Sequence, residues 1–338
     1  MAGRLQTAAL VGALKAAAEP TRMRILVLLS SGELNVKDLT QVLGQSQPRI
    51  SRHLKLLNEA GLVDRFREGS WVYFHISDAS EGGRLALQLI AAVDPSDPVL
   101  KRDRERAETL KRDRESAAQT YFHEHAADWD RIRALHVDES EVEAAMRSAL
   151  GPGPFRFLID LGTGTGRTLE LFAGTYARGL GIDANHAMLA LARSNLARSG
   201  NTAAHVRHGD IYNLSLSDGA ADAVVMHQVL HFLSEPGHAI AEAARLLVPG
   251  GRLLIVDFAP HEHEFLRDAH AHERLGFSDG LIRKWCDDAG LKSLNATKLG
   301  VPDGRTDKLT VALWLAERDA GVAEPARPTL GKALEELG

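Results

Sequence analysis

From residue 20 to residue 77 the apolar positions repeat first at helical and then at strand spacing. "PTRMRILVLLSSG" begins at Pro20 and Thr21, carries an apolar stripe and stops at Gly32, which predicts a helix of about three turns. "NVKDLTQVLG" predicts a second short helix closing on Gly44. "QSQPRISRHLKLLNEAG" opens with Ser46 as N-cap and Pro48 in the first turn, keeps Ile50, Leu54 and Leu57 on one face, and ends at Gly61. "LVDRFREGSWVYFHI" then alternates, turns at Glu-Gly-Ser and alternates again, as a β-hairpin does. Two short helices, a glycine-containing turn, a polar-fronted third helix and a hairpin make a winged helix-turn-helix.

Beyond residue 150 the pattern changes to short apolar runs separated by helical stretches. "RFLIDL" leads into a turn with Gly162, Gly164 and Gly166 and then a helix, and "RGLGID" predicts a second strand ending in Asp183. "HVRHGD" predicts a third strand with Asp210 at its end, and "ADAVVMH" predicts a fourth. "ARLLVPGGRLLIVDF" predicts a helix, a Pro-Gly-Gly turn and a fifth strand, "SDGLIRKWCDDAG" a late helix, and "KLTVALWLAER" a last strand. Alternating strands and helices of this length demand a mainly parallel sheet covered on both faces.

Between these regions stands "LKRDRERAETLKRDRESAAQ", a ten-residue block stated twice, with seven basic and five acidic side chains. Alternating signs and good helix formers predict a solvated, stiff helix, and "DPSDP" before it supplies prolines and an Asp near its start; a disordered linker is the competing reading. The chain therefore divides into residues 1–95, a charged helical linker 96–119, a second domain 120–320 and a tail 321–338 expected to be mobile. A length of 338 residues suits two domains.

Composition adds exclusions. The hydrophobic fraction of 44% and charged fraction of 25% are those of an ordinary soluble chain, and no apolar run approaches a membrane span. The net charge of -5 resides beyond the linker, since residues 1–99 are nearly neutral and the linker is positive. A single cysteine, Cys286, excludes a disulfide framework and a thiolate zinc cluster. Lys15 interrupts the apolar stretch at the amino end, which reads as an amphipathic helix rather than an export signal, so the cytoplasm is expected.

The face of the third helix opposite its apolar stripe shows Gln47, Arg49, Ser51, Arg52 and His53, donors suited to base edges and phosphates of double-stranded DNA. Arg65, Arg67 and Trp71 would set the wing on the adjacent backbone. A solvated helix face in a protein-interaction module is the alternative. "AAAEPTRMRILVLL", "SQPRISRHLKLLNEAGLV" and "REGSWVYFHI" resemble the bacterial ArsR/SmtB family of repressors over about residues 5–93. That resemblance implies a homodimer paired through first and last helices, here about 5–17 and 80–93. Asn35 and Lys37 stand where the family's arsenic-sensing thiols would be, and "EGGRLALQLIAAV" lacks the histidine of its zinc-sensing variant, so the signal must come from elsewhere.

A glycine-rich strand-to-helix turn alone also suits dinucleotide binders, but Gly-x-Gly-x-Gly departs from the nicotinamide spacing. The ordered motifs over about residues 120–317 resemble the class I S-adenosylmethionine-dependent methyltransferases. The resemblance implies an S-adenosylmethionine or S-adenosylhomocysteine site. Gly162, Gly164 and Gly166 would pass beneath the methionine moiety and Asp183 would bind the ribose, with Asp160, Thr163, Ala184 and Met188 as further binding residues. Asp210 and Ile211 would lie at the adenine, with His227 alongside.

The expected architecture is an α/β two-domain chain, an N-terminal winged helix-turn-helix and a C-terminal Rossmann-like class I methyltransferase fold joined by a charged helix. Catalytic residues are not identified: His231, Asp257 and His261 are possible bases. His261, His263, His270 and His272 invite a metal reading, but pairs two apart do not share a helix face, which favours a substrate lid or solvated helix. Arsenite methylation needs several thiols, and Cys286 alone cannot supply them. The arrangement resembles repressors of methionine-cycle genes that respond to adenosyl ligands; an active methyltransferase with a DNA-binding regulatory domain is the alternative.

Overall fold

The computed structural model describes residues 5–68, 71–76, 80–125, 139–300 and 309–319. Residues 69–70, where the sequence predicts the hairpin turn, and the tail from 321 lie outside the described residues. Two compact units emerge. The first takes in the described residues up to 125 with 230–236 and 258–277; the second takes in 139–229, 237–257 and 278 onward. Two stretches that sequence reading places in the second domain thus belong to the first unit.

The first unit begins with α1 (Thr7–Ala17), α2 (Pro20–Leu29), β1 (Leu34–Asn35), α3 (Val36–Leu43) and α4 (Gln47–Glu59). Hairpin strands β2 (Val63–Glu68) and β3 (Trp71–Ile76) follow, then α5 (Glu81–Ala91) and α6 (Pro98–His125). Ile50, Leu54 and Leu57 of α4 are buried beside Ile25, Leu26, Leu39 and Leu62, as the stripe requires. Glu19 caps α2 by accepting the Arg22 N–H. Ser46 occupies the N-cap of α4 without a side-chain capping bond. β1, absent from the sequence reading because two residues show no periodicity, pairs antiparallel with β3.

α6 forms through the repeat, and its Asp97 accepts the N–H groups of Val99 and Leu100. Much of it is solvated, but one face is not. Leu100 and Asp103 are buried, and Arg24 holds Asp103 through two bonds of 2.5 and 2.7 Å. Arg106 donates to the Val42 carbonyl. The alternating charges serve tertiary ion pairs, which a sign pattern alone does not distinguish from solvated i,i+4 pairs.

The second unit contains α7 (Glu139–Leu150), β4 (Phe155–Leu161), α8 (Arg167–Leu171), β5 (Tyr176–Asp183), α9 (His186–Arg198), β6 (Ala204–His208) and β7 (Ala221–His227). It continues with α10 (Pro236–Leu246), β8 (Leu247–Phe258), α12 (Asp279–Asp288), β9 (Leu291–Leu299) and β10 (Val311–Arg318); α11 (Phe265–His270) belongs to the first unit. The sheet order is β6-β5-β4-β7-β8-β10-β9. The pairs among β4, β5, β6, β7 and β8 are parallel, whereas β9 and β10 pair antiparallel. Near-continuous burial of β4 and β7 follows from helices on both faces.

β9 was missing from the sequence reading because this edge strand has little apolar alternation. Pro249 and the two following glycines do not separate helix from strand either: they form a bulge within β8, whose partners jump from Ala221–Leu247 to Ala223–Arg252. Strand order reverses between β4 and β7, so the ligand crevice of such a sheet lies at their carboxyl ends.

Candidate functional site

On α4 the buried stripe leaves Gln47, Arg49, Ser51 and Arg52 exposed together on the opposite face. His53 departs from them. Its side chain is only 11% exposed, and Nδ1 lies 3.7 Å from the Glu19 carboxylate. Burial lowers its pKa, opposed by Glu19. Its place beside Leu54 and three residues after Ile50 sets it on the inner edge of the stripe, so it is unsuited to base reading. Arg65 and Arg67 are exposed on the same face of β2. Trp71 is committed elsewhere: the Arg267 guanidinium lies 3.9 Å over its ring, and Lys37 Nζ approaches at 5.9 Å.

The amino end of α3 is a closed polar constellation. Asn35 is buried, caps α3 by accepting the Asp38 N–H, and donates its own N–H to the Asp38 carboxylate. The same carboxylate is ion-paired to Arg114 of α6.

In the second unit the glycine turn after β4 has left-handed backbone at Gly162, Gly164 and Gly166, with φ of 73°, 51° and 84°. Glycine is required for a further reason. A Cβ on Gly162 would stand 2.4 Å from Val229 Cγ2, so the turn packs directly on the segment after β7. The Gly162 and Thr163 N–H groups both donate to the Ile182 carbonyl, and Thr163 Oγ1 donates to the buried Asp160 at 2.6 Å. These contacts lock the turn onto β5.

Asp183, at the end of β5, accepts the Gly164 N–H on one oxygen and the Asn185 N–H on the other, each at 2.8 Å. Burial raises its pKa; the hydrogen bonds from Asn185 and Gly164 and the neighbouring His208 oppose that shift. Asn185, not singled out from sequence, caps α9 by accepting the N–H groups of Ala187 and Met188. Ala184 is exposed and Met188 buried. Asp210 and Ile211 lie beyond β6, which stops at His208; Asp210 is exposed and accepts the Tyr212 N–H at 2.9 Å.

His227 is buried at the end of β7. The next residue, Gln228, is also buried and holds a left-handed φ of 51°, its N–H donating to the Val256 carbonyl at 2.7 Å. A non-glycine residue in this region is a strained position of the kind found at ligand sites. No sequence signal marks it.

Of the three possible bases, the His231 and His261 rings lie 5.0 and 6.1 Å from that of Phe258, the residue after Asp257. Asp257 is fully buried in the second unit, whereas His231 and His261 belong to the first. The His231 ring lies 4.2 Å from that of His272, and Tyr121 Oη is 2.7 Å from His270 Nδ1. Among the described residues no three His, Cys, Asp or Glu side chains form a metal-holding group. Cys286 is buried, which pushes its thiol up to about 12.

At the carboxyl ends of β4, β5 and β7 stand a locked glycine turn, a shielded carboxylate with capacity for hydroxyl donors, and the buried His227, groups chemically compatible with an adenosyl ligand. Comparison with known proteins agrees on the class. Residues 19–65 match the bacterial regulatory protein, arsR family, and residues 159–255 match the methyltransferase domain family. The arsenical resistance operon repressor of Escherichia coli is 52% identical over 64 residues, 19% of this chain and 55% of that protein. Demethylmenaquinone methyltransferase of Clavibacter sepedonicus is 27% identical over 205 residues, 60% of this chain and 80% of that one. A solved S-adenosylmethionine-dependent methyltransferase of Mesorhizobium loti aligns with 18% identity and a TM-score of 0.45, covering 52% of this chain and 96% of that one.

The chain spans 33% to 55% of the length of the first curated relatives it matches. It joins an arsR-family helix-turn-helix domain to a methyltransferase domain. The first implies DNA binding and the second an adenosyl ligand. Among the described residues no helix is long and apolar enough to cross a membrane.

Proposed function

We propose that this chain is a cytoplasmic, homodimeric transcriptional repressor of methionine-cycle type genes whose affinity for operator DNA is set by S-adenosylhomocysteine or S-adenosylmethionine. The carrying observation is the presence in one chain of an exposed Gln47-Arg49-Ser51-Arg52 face and the Asp183-centred turn. The single cysteine, buried in α12, offers no thiol set for a metalloid signal, so the adenosyl ligand is the available effector. Val11 and Leu14 of α1 and Leu87 of α5 are exposed apolar side chains, which supports pairing through those helices.

Gln47, Arg49 and Arg52 would read bases, with Ser51, Arg65 and Arg67 on phosphates. Asp183 would accept the ribose hydroxyls, Asp160 and the glycine turn would hold the methionine end, and Met188, Asp210 and Ile211 would flank the adenine. Regulation requires only that the ligand bind the DNA-competent and DNA-incompetent arrangements differently; a coupling of roughly 1–3 kcal/mol changes affinity about five- to 150-fold.

An anisotropy titration of operator DNA, with and without each adenosyl ligand, tests the reading. A shift of at least about fivefold is expected. Methyl transfer to a small acceptor with no effect on DNA would instead favour the enzyme.

A further inference from the structure

Two chain excursions leave the sheet of the second unit and fold into the first. One, 230–236, begins three residues after His227; the other, 258–277, begins directly after Asp257. Each is fastened by charge. Lys111 of α6 pairs with Glu235 at 2.7 Å. Arg114, one helical turn further along α6, takes Glu273 at 2.7 Å with one nitrogen and Asp38 of α3 with the other. Arg274, 1% exposed, donates to Glu33 at 3.0 Å and lies 4.2 Å over the Tyr73 ring of the wing, while Arg267 covers Trp71.

The excursions are also tied to each other and closed at the base. The N–H groups of Glu273 and Arg274 both donate to the His231 carbonyl, and those of His261 and Phe277 donate to Leu275 and Phe258. Gly276, with φ of 84°, has no room for a Cβ, which would stand 2.2 Å from the Ala259 carbonyl oxygen.

Attachment alone does not call for such chemistry. Buried ion pairs add little net stability over apolar packing, yet removing one partner is strongly penalised, so they hold one arrangement against its neighbours. Here they fasten α3, which packs on the DNA-reading helix, and β3 of the hairpin to chain that follows closely on His227 and directly on Asp257. We propose that this clasp, centred on Asp38-Arg114-Glu273 and Glu33-Arg274, is the element through which occupation of the adenosyl site alters the helix-turn-helix. The proposal rests on the reading that the second unit binds an adenosyl ligand.

Hydrogen exchange of the full chain with and without saturating S-adenosylhomocysteine, binding being checked by calorimetry, tests it. In the native protein the ligand is expected to change exchange in α3 and β3 by at least about fivefold, while adjacent peptides of α1 change by less than about twofold. Glu273→Gln and, separately, Glu33→Gln are expected to cut the α3 response below about twofold with calorimetric affinity within about twofold of native. Glu273→Asp, which keeps the charge, is expected to restore part of it. An unchanged exchange pattern in the native protein despite ligand binding, or a native-sized response in both glutamine variants, overturns the clasp. An exchange response without any change in operator affinity leaves the clasp standing and defeats the repressor reading. Absence of adenosyl binding defeats both.

Discussion

Replacing Asp183 by asparagine keeps the size of the side chain and removes one acceptor oxygen and the charge. In the native site each carboxylate oxygen already takes a backbone N–H, from Gly164 and from Asn185, at 2.8 Å. An anionic oxygen has lone pairs left for two ribose hydroxyls; a carboxamide presents one oxygen and an NH₂ group that faces a backbone donor. Hydrogen bonds to a charged group contribute about 1.5–3 kcal/mol, so loss of one such interaction lowers ligand affinity by about tenfold to 150-fold.

The pH dependence sharpens the test. Burial raises the Asp183 pKa above its unfolded value, so its contribution to stability is present below the unfolded pKa and lost as pH rises through the folded one. Ligand binding that needs the ionised form runs the other way, with affinity rising over the same window and then levelling. Calorimetry with S-adenosylhomocysteine from weakly acid to neutral pH is expected to show this rise in the native protein and a flat profile in Asp183→Asn. Native affinity in the variant, or the same pH slope in both proteins, refutes the assignment.

Four further outcomes are expected. Alanine at Gln47, Arg49 or Arg52 weakens specific operator binding by roughly 1–3 kcal/mol for each bidentate base contact, whereas His53→Ala lowers thermal stability rather than sequence discrimination; anisotropy and melting curves separate the two. Arg24→Ala strands the buried Asp103 and costs about 3–5 kcal/mol by urea unfolding, partly recovered by adding Asp103→Asn. Gly162→Ala forces a side chain onto Val229 at positive φ and costs roughly 2–5 kcal/mol, visible as a lower unfolding midpoint; a native midpoint would mean the turn is not packed as described. Leu14→Glu with Leu87→Glu yields a monomer in sedimentation if α1 and α5 form the dimer seam; an unchanged dimer removes that seam.

Local pattern determined much of this protein. The spacing of Ile50, Leu54 and Leu57 specifies which side of α4 is buried and therefore that Gln47, Arg49, Ser51 and Arg52 face outward, although it also assigns His53 to that face. Gly162, Gly164 and Gly166 announce a turn that only glycine tolerates, and alternating strands and helices restrict the second half to a parallel sheet. These features depend on neighbours a few residues apart.

Tertiary structure decided what depends on distant partners. His53 and Trp71 carry DNA-compatible chemistry, but Glu19 and Arg267 engage them within the fold. The strain at Gln228 arises where the segment after β7 passes over Gly162 and bonds to Val256, an arrangement no run of sequence encodes. Alternating charge in α6 is equally compatible with water and with ion pairs until Asp38, Glu235 and Glu273 are brought to it. Arg274 meets Glu33 across 241 residues of chain, and periodicity records which face of an element is apolar but not which remote charge will lie against it.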